Sequence, residues 1–388
     1  MESVPYWRLS GFYFCYFAGM GALSPYLGPY LQSSGFSAVA IGAVVAILNG
    51  VRIIAPNLWS WLGDLSGRPM RMVRVSAFLG AAAFSLLLLG SGFVWVALVV
   101  AAFGFCWNGV LPQFEANTMS HLGSRDHNYA LIRLWGSLGF IASVLAVGGA
   151  LDRGNTTVYP IILLAVLVVV WMASLLVPER ASVHLPRESG SFVRVMRNPR
   201  VLGFLLACFL LQASHGPYYA FYSIYLGRHG YSSSEIGVLW AVGVGAEVAV
   251  FMVVHRWLQR YGARRLMTGA MGLAALRWYL IGALVAYPPV LVFAQVLHAA
   301  SFGVYHAVAI RTVNRFFVGR NQMRGQAVYS SLTFGAGVGL GSFASGMIWS
   351  ALGDRQIYYF AALAALLAAW VAFRTLPEGG VPTHGSAN

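Results

Sequence analysis

Twelve apolar stretches alternate with short polar connections along the chain, over about 7–30, 39–60, 72–91, 93–118, 130–150, 157–177, 200–226, 235–257, 266–286, 289–311, 326–350 and 357–374. Each is close to the ~20 residues that a helix needs to cross a bilayer. Glycine and proline recur inside them, which membrane helices tolerate. Pro69, Pro178 and Pro199 stand where stretches stop or restart. The first stretch begins near Trp7 and is too long for a signal-peptide core, so it reads as a retained span. The pattern predicts an all-α membrane protein with twelve transmembrane helices.

Composition closes off a soluble fold. Apolar residues make up 59% of the chain and charged residues 9%, against roughly 45–50% and 25% in soluble domains. The formal charge of +14 is carried entirely by arginine, since none of the 25 basic residues is lysine. Its placement speaks against nucleic acid. With the N-terminus inside, cytoplasmic segments hold Arg8, Arg68, Arg71, Arg74, Arg125, Arg180, Arg187, Arg194, Arg197, Arg200, Arg256, Arg260, Arg264, Arg265, Arg315, Arg320, Arg324 and Arg374. The other side has Arg153, Arg228 and Arg355. That asymmetry predicts two cytoplasmic termini in a bacterial-type inner membrane. The three cysteines, Cys15, Cys106 and Cys208, lie within apolar runs and form neither a disulfide framework nor a metal site.

The halves repeat. Gly35-Phe36 before Ile41-Gly42 is echoed 195 residues later by Gly230-Tyr231 before Ile236-Gly237. Asp64-Leu65-Ser66-Gly67 precedes Gln259-Arg260-Tyr261-Gly262 by the same offset, and Asp152-Arg153 is echoed by Asp354-Arg355. The expected organisation is an N-terminal six-helix bundle (1–177), an Arg-rich cytoplasmic linker (178–199) and a C-terminal six-helix bundle (200–388). Two pseudo-symmetric repeats around a midplane site are the build of a secondary transporter.

Charge inside the spans locates the candidate chemistry. Only Glu115 and Glu247, of eleven acidic residues, fall well inside spans, with Arg52, Arg133 and Arg277, while Arg311 is borderline. Glu115 and Arg133 flank the polar connection at 120–128, each roughly 7–8 Å inside the membrane edge. Such groups must pair or face water, since either alone in hydrocarbon costs several kcal/mol. Three arginines against two glutamates leave surplus guanidinium, which favours an anion. Span ten carries Gln295, His298, Ser301 and Tyr305 on loosely one face, and span seven carries Gln212, His215, Tyr219 and Tyr222 beside Pro217. Span two carries Asn49, Arg52 and Pro56. These stripes are expected to line a wet cavity. His298, titrating near neutrality, is placed to help a carboxylate load its proton. Tyr16, Trp107, Trp135, Tyr218 and Trp240 are candidates to stack on an aromatic substrate.

Gly63-Asp64-Leu65-Ser66-Gly67-Arg68 after span two resembles the loop signature of the major facilitator superfamily, with Arg260-Tyr261-Gly262-Ala263-Arg264-Arg265 as a second copy. Ser60, Leu65 and Pro69 depart from that signature. The resemblance implies the major facilitator fold and a gating role for Asp64, Gly67 and Arg68. Within the superfamily the chain is similar to the 3-phenylpropionate/proton symporters, relatives of lactose permease. Arg133-Leu134-Trp135-Gly136-Ser137 resembles the branch's span-five motif, Glu115 the permease's sugar-binding carboxylate, and Gly245-Ala246-Glu247 its span-eight substrate carboxylate. Arg277-Trp278 and Leu297-His298 resemble its span-nine Arg and span-ten His. Ser301 stands where the permease has its proton-carrying Glu, and Gln212, His215, Pro217, Tyr218 and Tyr219 match the phenylpropionate branch instead.

The expectation is a proton-coupled importer of a small organic anion, an aromatic carboxylate such as 3-phenylpropionate, working by alternating access. Arg133, Arg277 and Arg52 would hold the carboxylate with Glu115, Gln212, His215 and Tyr219 nearby. Glu247, tuned by His298, would carry the proton, with Glu115 second. The alternative is a proton symporter of a neutral sugar or nucleoside using Glu115 and Arg133 as a hydroxyl clamp. A membrane enzyme would need a clustered His-Asp or metal set; His121 and His127 flank Asp126 without ligand spacing. No cofactor is expected, only a proton gradient. The expected partners are the substrate and the lipid bilayer, with no nucleic acid, and the expected state is a monomer.

Overall fold

The computed structural model describes residues 4–123, 129–180, 192–319 and 321–378, and every element among them is helical. Twelve long helices follow the twelve apolar stretches. They are α1 (Tyr6–Ser33), α2 (Ala38–Ser66), α3 (Pro69–Leu89), α4 (Phe93–Leu122), α5 (Tyr129–Gly154), α6 (Thr156–Leu176), α7 (Pro199–Arg228), α8 (Ser233–Phe251), α9 (Val254–Ala283), α10 (Pro288–Phe316), α11 (Asn321–Leu352) and α12 (Gln356–Thr375). Helices α2 to α12 are long and apolar enough to cross a membrane. Helix α1 has the length, at 28 residues, but its tyrosines, glycines and prolines dilute its hydropathy. Residues 124–128, with Arg125, Asp126 and His127, and residues 181–191 of the predicted linker lie outside the described residues.

The sequence repeat is a repeat of backbone shape. Gly35 and Gly230 both end a helix with positive φ, 85° and 89°. In each case the next amide reaches five residues back: Phe36 to Leu31 at 3.1 Å, and Tyr231 to Leu226 at 3.2 Å. This is the helix stop that glycine supplies without steric cost. Ser37 then caps α2, and Ser232 exchanges hydrogen bonds with Glu235 in a capping box at the start of α8. Gly67 and Gly262 also both have positive φ, 62° and 77°, but their ψ angles differ, 10° against 164°.

The chain packs as two units. The first comprises Met1–Leu185 with Tyr218–Ala241, and the second Pro186–Pro217 with Val242–Asn388. Helix α7 breaks at His215, just before Pro217. In the first unit α1 lies directly on α5: a side chain at Gly139 would meet the Phe14 carbonyl, and one at Gly21 the Phe140 carbonyl. Helix α2 is interrupted by a 3-10 turn at Val51–Ile53, ahead of Pro56, and this turn carries Arg52. The end of α5 also holds the start of α8. Asp152 accepts the amides of Ser233 (2.7 Å) and Ser234 (2.9 Å), and the Tyr26 hydroxyl donates to Val144 (2.6 Å). A carboxylate on a helix N-terminus satisfies amides that have no intrahelical partner.

Two features of the second unit differ from the sequence pattern. A span to residue 257 is expected, but α8 ends at Phe251 and α9 begins at Val254 with a short helix that turns at Gly262 (φ 77°, ψ 164°). Continuous apolarity cannot register the break at residues 252–253, where the backbone leaves the helix within an apolar run. Helices α10 and α11 each contain a π-helical segment, Ala299–Val304 and Ser331–Gly337. Such segments are rare and recur at functional sites.

Candidate functional site

The intramembrane charges form one cluster in each unit. In the first, Arg52 on the 3-10 turn of α2 donates from Nε to the Asn108 side chain at 2.8 Å, and Asn108 is itself tied to the Gly104 carbonyl at 2.7 Å. Arg133 on α5 places its guanidinium over the Phe17 ring, 3.8 Å from its centroid, with the Tyr13 centroid at 5.8 Å. Glu115 on α4 accepts from the Tyr129 hydroxyl at 3.2 Å. Arg52, Glu115 and Arg133 are all half-buried. Tyr16 lies within electrostatic range of all three and stacks on Trp107, with centroids 4.4 Å apart and planes 7° from parallel. Three of the five charges expected well inside the spans thus lie within electrostatic range of one aromatic pair. Glu115 and Arg133 do not form the ion pair that their spacing suggests, because Tyr129 and the Phe17 ring take their places.

The second cluster is a chain of contacts. Arg277 is fully buried on α9. Its Nη1 donates to His298 Nδ1 at 3.0 Å and Ser301 Oγ at 3.1 Å, and its Nη2 donates to Gln295 Oε1 at 3.0 Å. Three residues of the span-ten stripe therefore converge on one guanidinium. The fourth, Tyr305, accepts from the Tyr329 hydroxyl at 3.1 Å. His298 also reaches Glu247, with Nε2 3.4 Å from Oε2. A guanidinium can only donate, so His298 Nδ1 must accept. The proton of the neutral imidazole is then on Nε2, facing the carboxylate. A doubly protonated His298 would set N–H against N–H and forfeit the Arg277 bond. Phe302 is sandwiched on α10 between His298 (5.3 Å, 11°) and His306 (5.8 Å, 4°).

The span-seven stripe divides at the break in α7. His215 is buried, donates from Nδ1 to the Leu211 carbonyl at 2.9 Å and meets Trp278 edge-on at 4.9 Å. Gln212 is fully buried, and among the described residues neither its amide oxygen nor its nitrogen has a hydrogen-bond partner. A buried amide in that state calls for a water or a ligand. Tyr219 belongs to the first unit, where it packs with Tyr218 and Trp240, while Gln212 and His215 belong to the second. Trp135 donates to the Tyr6 hydroxyl, outside the Tyr16 platform.

Asp64, Gly67 and Arg68 are exposed, and neither charge is in an ion pair among the described residues. Another acid makes the contacts at that end. Glu179 accepts the amides of Met70 (2.8 Å) and Arg71 (3.0 Å) at the start of α3. Arg74 donates to the Val177 carbonyl at 2.8 Å, and Asn117 and His121 bind the Pro178 carbonyl. In the second unit Glu378 pairs with Arg264 at 2.8 Å. A signal for this existed in the sequence, because Val177-Pro178-Glu179 recurs as Leu376-Pro377-Glu378. Asn108, Phe17 and Tyr129 carried no such signal.

Among the described residues no group of three His, Cys, Asp or Glu is placed to hold a metal ion. The chain is 29% identical over 381 residues to the probable 3-phenylpropionic acid transporter of Escherichia coli (strain K12), covering 94% of this chain and 97% of that one. It is 28% identical over 373 residues to the maltose permease of Geobacillus stearothermophilus, covering 92% and 91%. Among solved structures, the nucleoside transporter NupG superposes with a TM-score of 0.79 at 17% identity, over 95% of this chain and 98% of that one. A bacterial homolog of the human lysosomal transporter Spinster gives 0.78 at 15%, over 96% and 98%. At those identities the structures speak for the twelve-helix fold alone. A family model described as the MFS_1 like family matches residues 6–360, and the chain belongs to that family, as a multi-pass membrane transporter of the major facilitator type rather than an enzyme.

Proposed function

We propose that this transporter carries a small organic anion with protons, and that the anion is an aromatic carboxylate of the 3-phenylpropionate kind. One observation carries the reading. Two half-buried guanidiniums, Arg52 and Arg133, flank the Tyr16–Trp107 stack, and among the described residues neither is in an ion pair. A guanidinium fork matches a carboxylate, and a flat ring stacks on a flat ring. The similarity to a probable 3-phenylpropionic acid transporter points the same way.

Coupling is assigned to Glu247. His298 directs an N–H at its carboxylate and is itself fixed by Arg277. Glu247 keeps 19% of its side chain exposed, which leaves a route for protons from water. In this reading Arg277 acts through His298 instead of holding the substrate in the present conformation, since its fork is engaged by Gln295, His298 and Ser301. Glu115, bound to Tyr129, is the second proton candidate. Gln212 offers the substrate an amide without a hydrogen-bond partner among the described residues. The repeats 1–177 and 200–388, joined through 178–199, would alternate access, with both termini and the arginine-rich ends in the cytoplasm of a bacterial-type cell. Asp64, Gly67 and Arg68 would bias the gate there.

The second reading, proton symport of a neutral sugar or nucleoside, draws on the similarity to a maltose permease and on Glu115, whose second oxygen can take a substrate hydroxyl. A thermal-stability screen of the purified protein separates them. Aromatic acids should raise the unfolding midpoint while galactosides, maltose and nucleosides leave it unchanged. Stabilisation by the neutral compounds alone would discard the anion reading.

A further inference from the structure

The arginine-rich end of the second unit contains two cavities, of about 330 Å³ and about 400 Å³, that share Leu258, Arg311 and Arg315 in their walls. Arg311 and Arg315 stand one turn apart on the last turns of α10 and are half-buried. Neither is in an ion pair among the described residues. The chain does supply a carboxylate to this wall: Glu378, the one acid lining either cavity among the described residues, is committed to Arg264. Other arginines here, such as Arg256 and Arg260, are exposed and solvated. Two guanidiniums lining a recess whose carboxylate is already paired with Arg264 form a fork-shaped oxyanion receptor. The wall of the second cavity also includes the apolar side chains of Val254, Ala307 and Ile310, with His255 and Asn314.

We propose that Arg311 and Arg315 bind a phosphate-class oxyanion, either the headgroup of an anionic phospholipid or a free phosphate. Basic recesses between membrane helices suit such headgroups, and the apolar wall accommodates the chain side of one. This site is separate from the Arg52, Arg133 and Glu247 clusters and does not depend on which substrate is carried.

The test uses the purified full chain in detergent and reads its thermal unfolding midpoint against three probes: inorganic phosphate, dioctanoyl phosphatidylglycerol, and dioctanoylglycerol, which has the same chains without phosphate. Saturable stabilisation by the phosphatidylglycerol alone assigns a lipid headgroup, and comparable stabilisation by phosphate assigns a free oxyanion. In Arg311→Gln/Arg315→Gln the apparent Kd should weaken at least about tenfold, as expected from losing two charge-assisted contacts. Arg256→Gln/Arg260→Gln, which removes the same charge from the exposed surface, should bind as the wild type does. Arg315→Gln alone carries the same test if the double variant fails to fold. No saturable stabilisation by either phosphate probe, equal binding in the Arg311/Arg315 variants, or equal stabilisation by dioctanoylglycerol would overturn the proposal.

Discussion

Replacing His298 in two ways dissects the second cluster. In His298→Asn the amide oxygen can stand where Nδ1 stands, so Arg277 keeps its acceptor and only the 3.4 Å contact to Glu247 is lost. That contact is long and its carboxylate is partly wet, so its loss costs about 0.5–1 kcal/mol. In His298→Ala the Arg277 bond goes as well. A hydrogen bond to a charged group contributes about 1.5–3 kcal/mol, and Arg277 is fully buried, so water cannot replace the acceptor freely. His298→Ala should therefore be less stable than His298→Asn by about 2 kcal/mol, read as the order of unfolding midpoints in one detergent. Proton-driven uptake should fall in both variants, because both lose the N–H directed at Glu247. Equal midpoints would mean that Arg277 does not rely on His298, and the argument fixing the imidazole proton on Nε2 would fail with it.

Three further outcomes follow from the geometry. Asp152→Asn keeps one acceptor but loses the charge at the start of α8, worth about 1 kcal/mol; amide exchange at Ser233 and Ser234 should quicken about fivefold, and unchanged exchange would deny the capping role. Gly139→Val drives a side chain into the Phe14 carbonyl and should destabilise by about 1–3 kcal/mol, whereas Gly11→Ala, with nothing within 4 Å, should be silent; equal midpoints would contradict the close α1–α5 approach. Arg133→Gln should weaken 3-phenylpropionate binding about 10- to 100-fold, measured by calorimetry. Equally tight wild-type binding of 3-phenylpropanamide, which lacks the negative charge, would remove the guanidinium from the account.

Much of the architecture was legible because membrane helices announce themselves by length and apolarity. The stretch predicted over 93–118 became α4 over Phe93–Leu122, and the glycine repeat at 35 and 230 became two matching helix stops. Charge was equally legible, since a Glu or Arg inside a span has few places to go. What each charge would touch was not. Arg133 found the Phe17 ring rather than Glu115, because an aromatic face at the right depth competes with a carboxylate for a guanidinium. The stripe Gln295, His298, Ser301 was visible as polar spacing, but only packing shows that all three serve Arg277. The π segments and the break at residues 252–253 change the backbone without changing the apolar pattern, so periodicity passes over them. The clip formed by Glu179 could have been found from its Pro-Glu echo at Pro377-Glu378, a repeat too short to stand out.

Glu247 as the proton carrier is the central claim, and proteoliposomes test it most directly. With an inward proton gradient imposed, wild-type protein should accumulate labelled 3-phenylpropionate above the external level. Glu247→Gln should abolish that accumulation while still exchanging internal for external substrate. Uptake by the wild type that is the same with and without the gradient, or full accumulation by Glu247→Gln, would contradict the account.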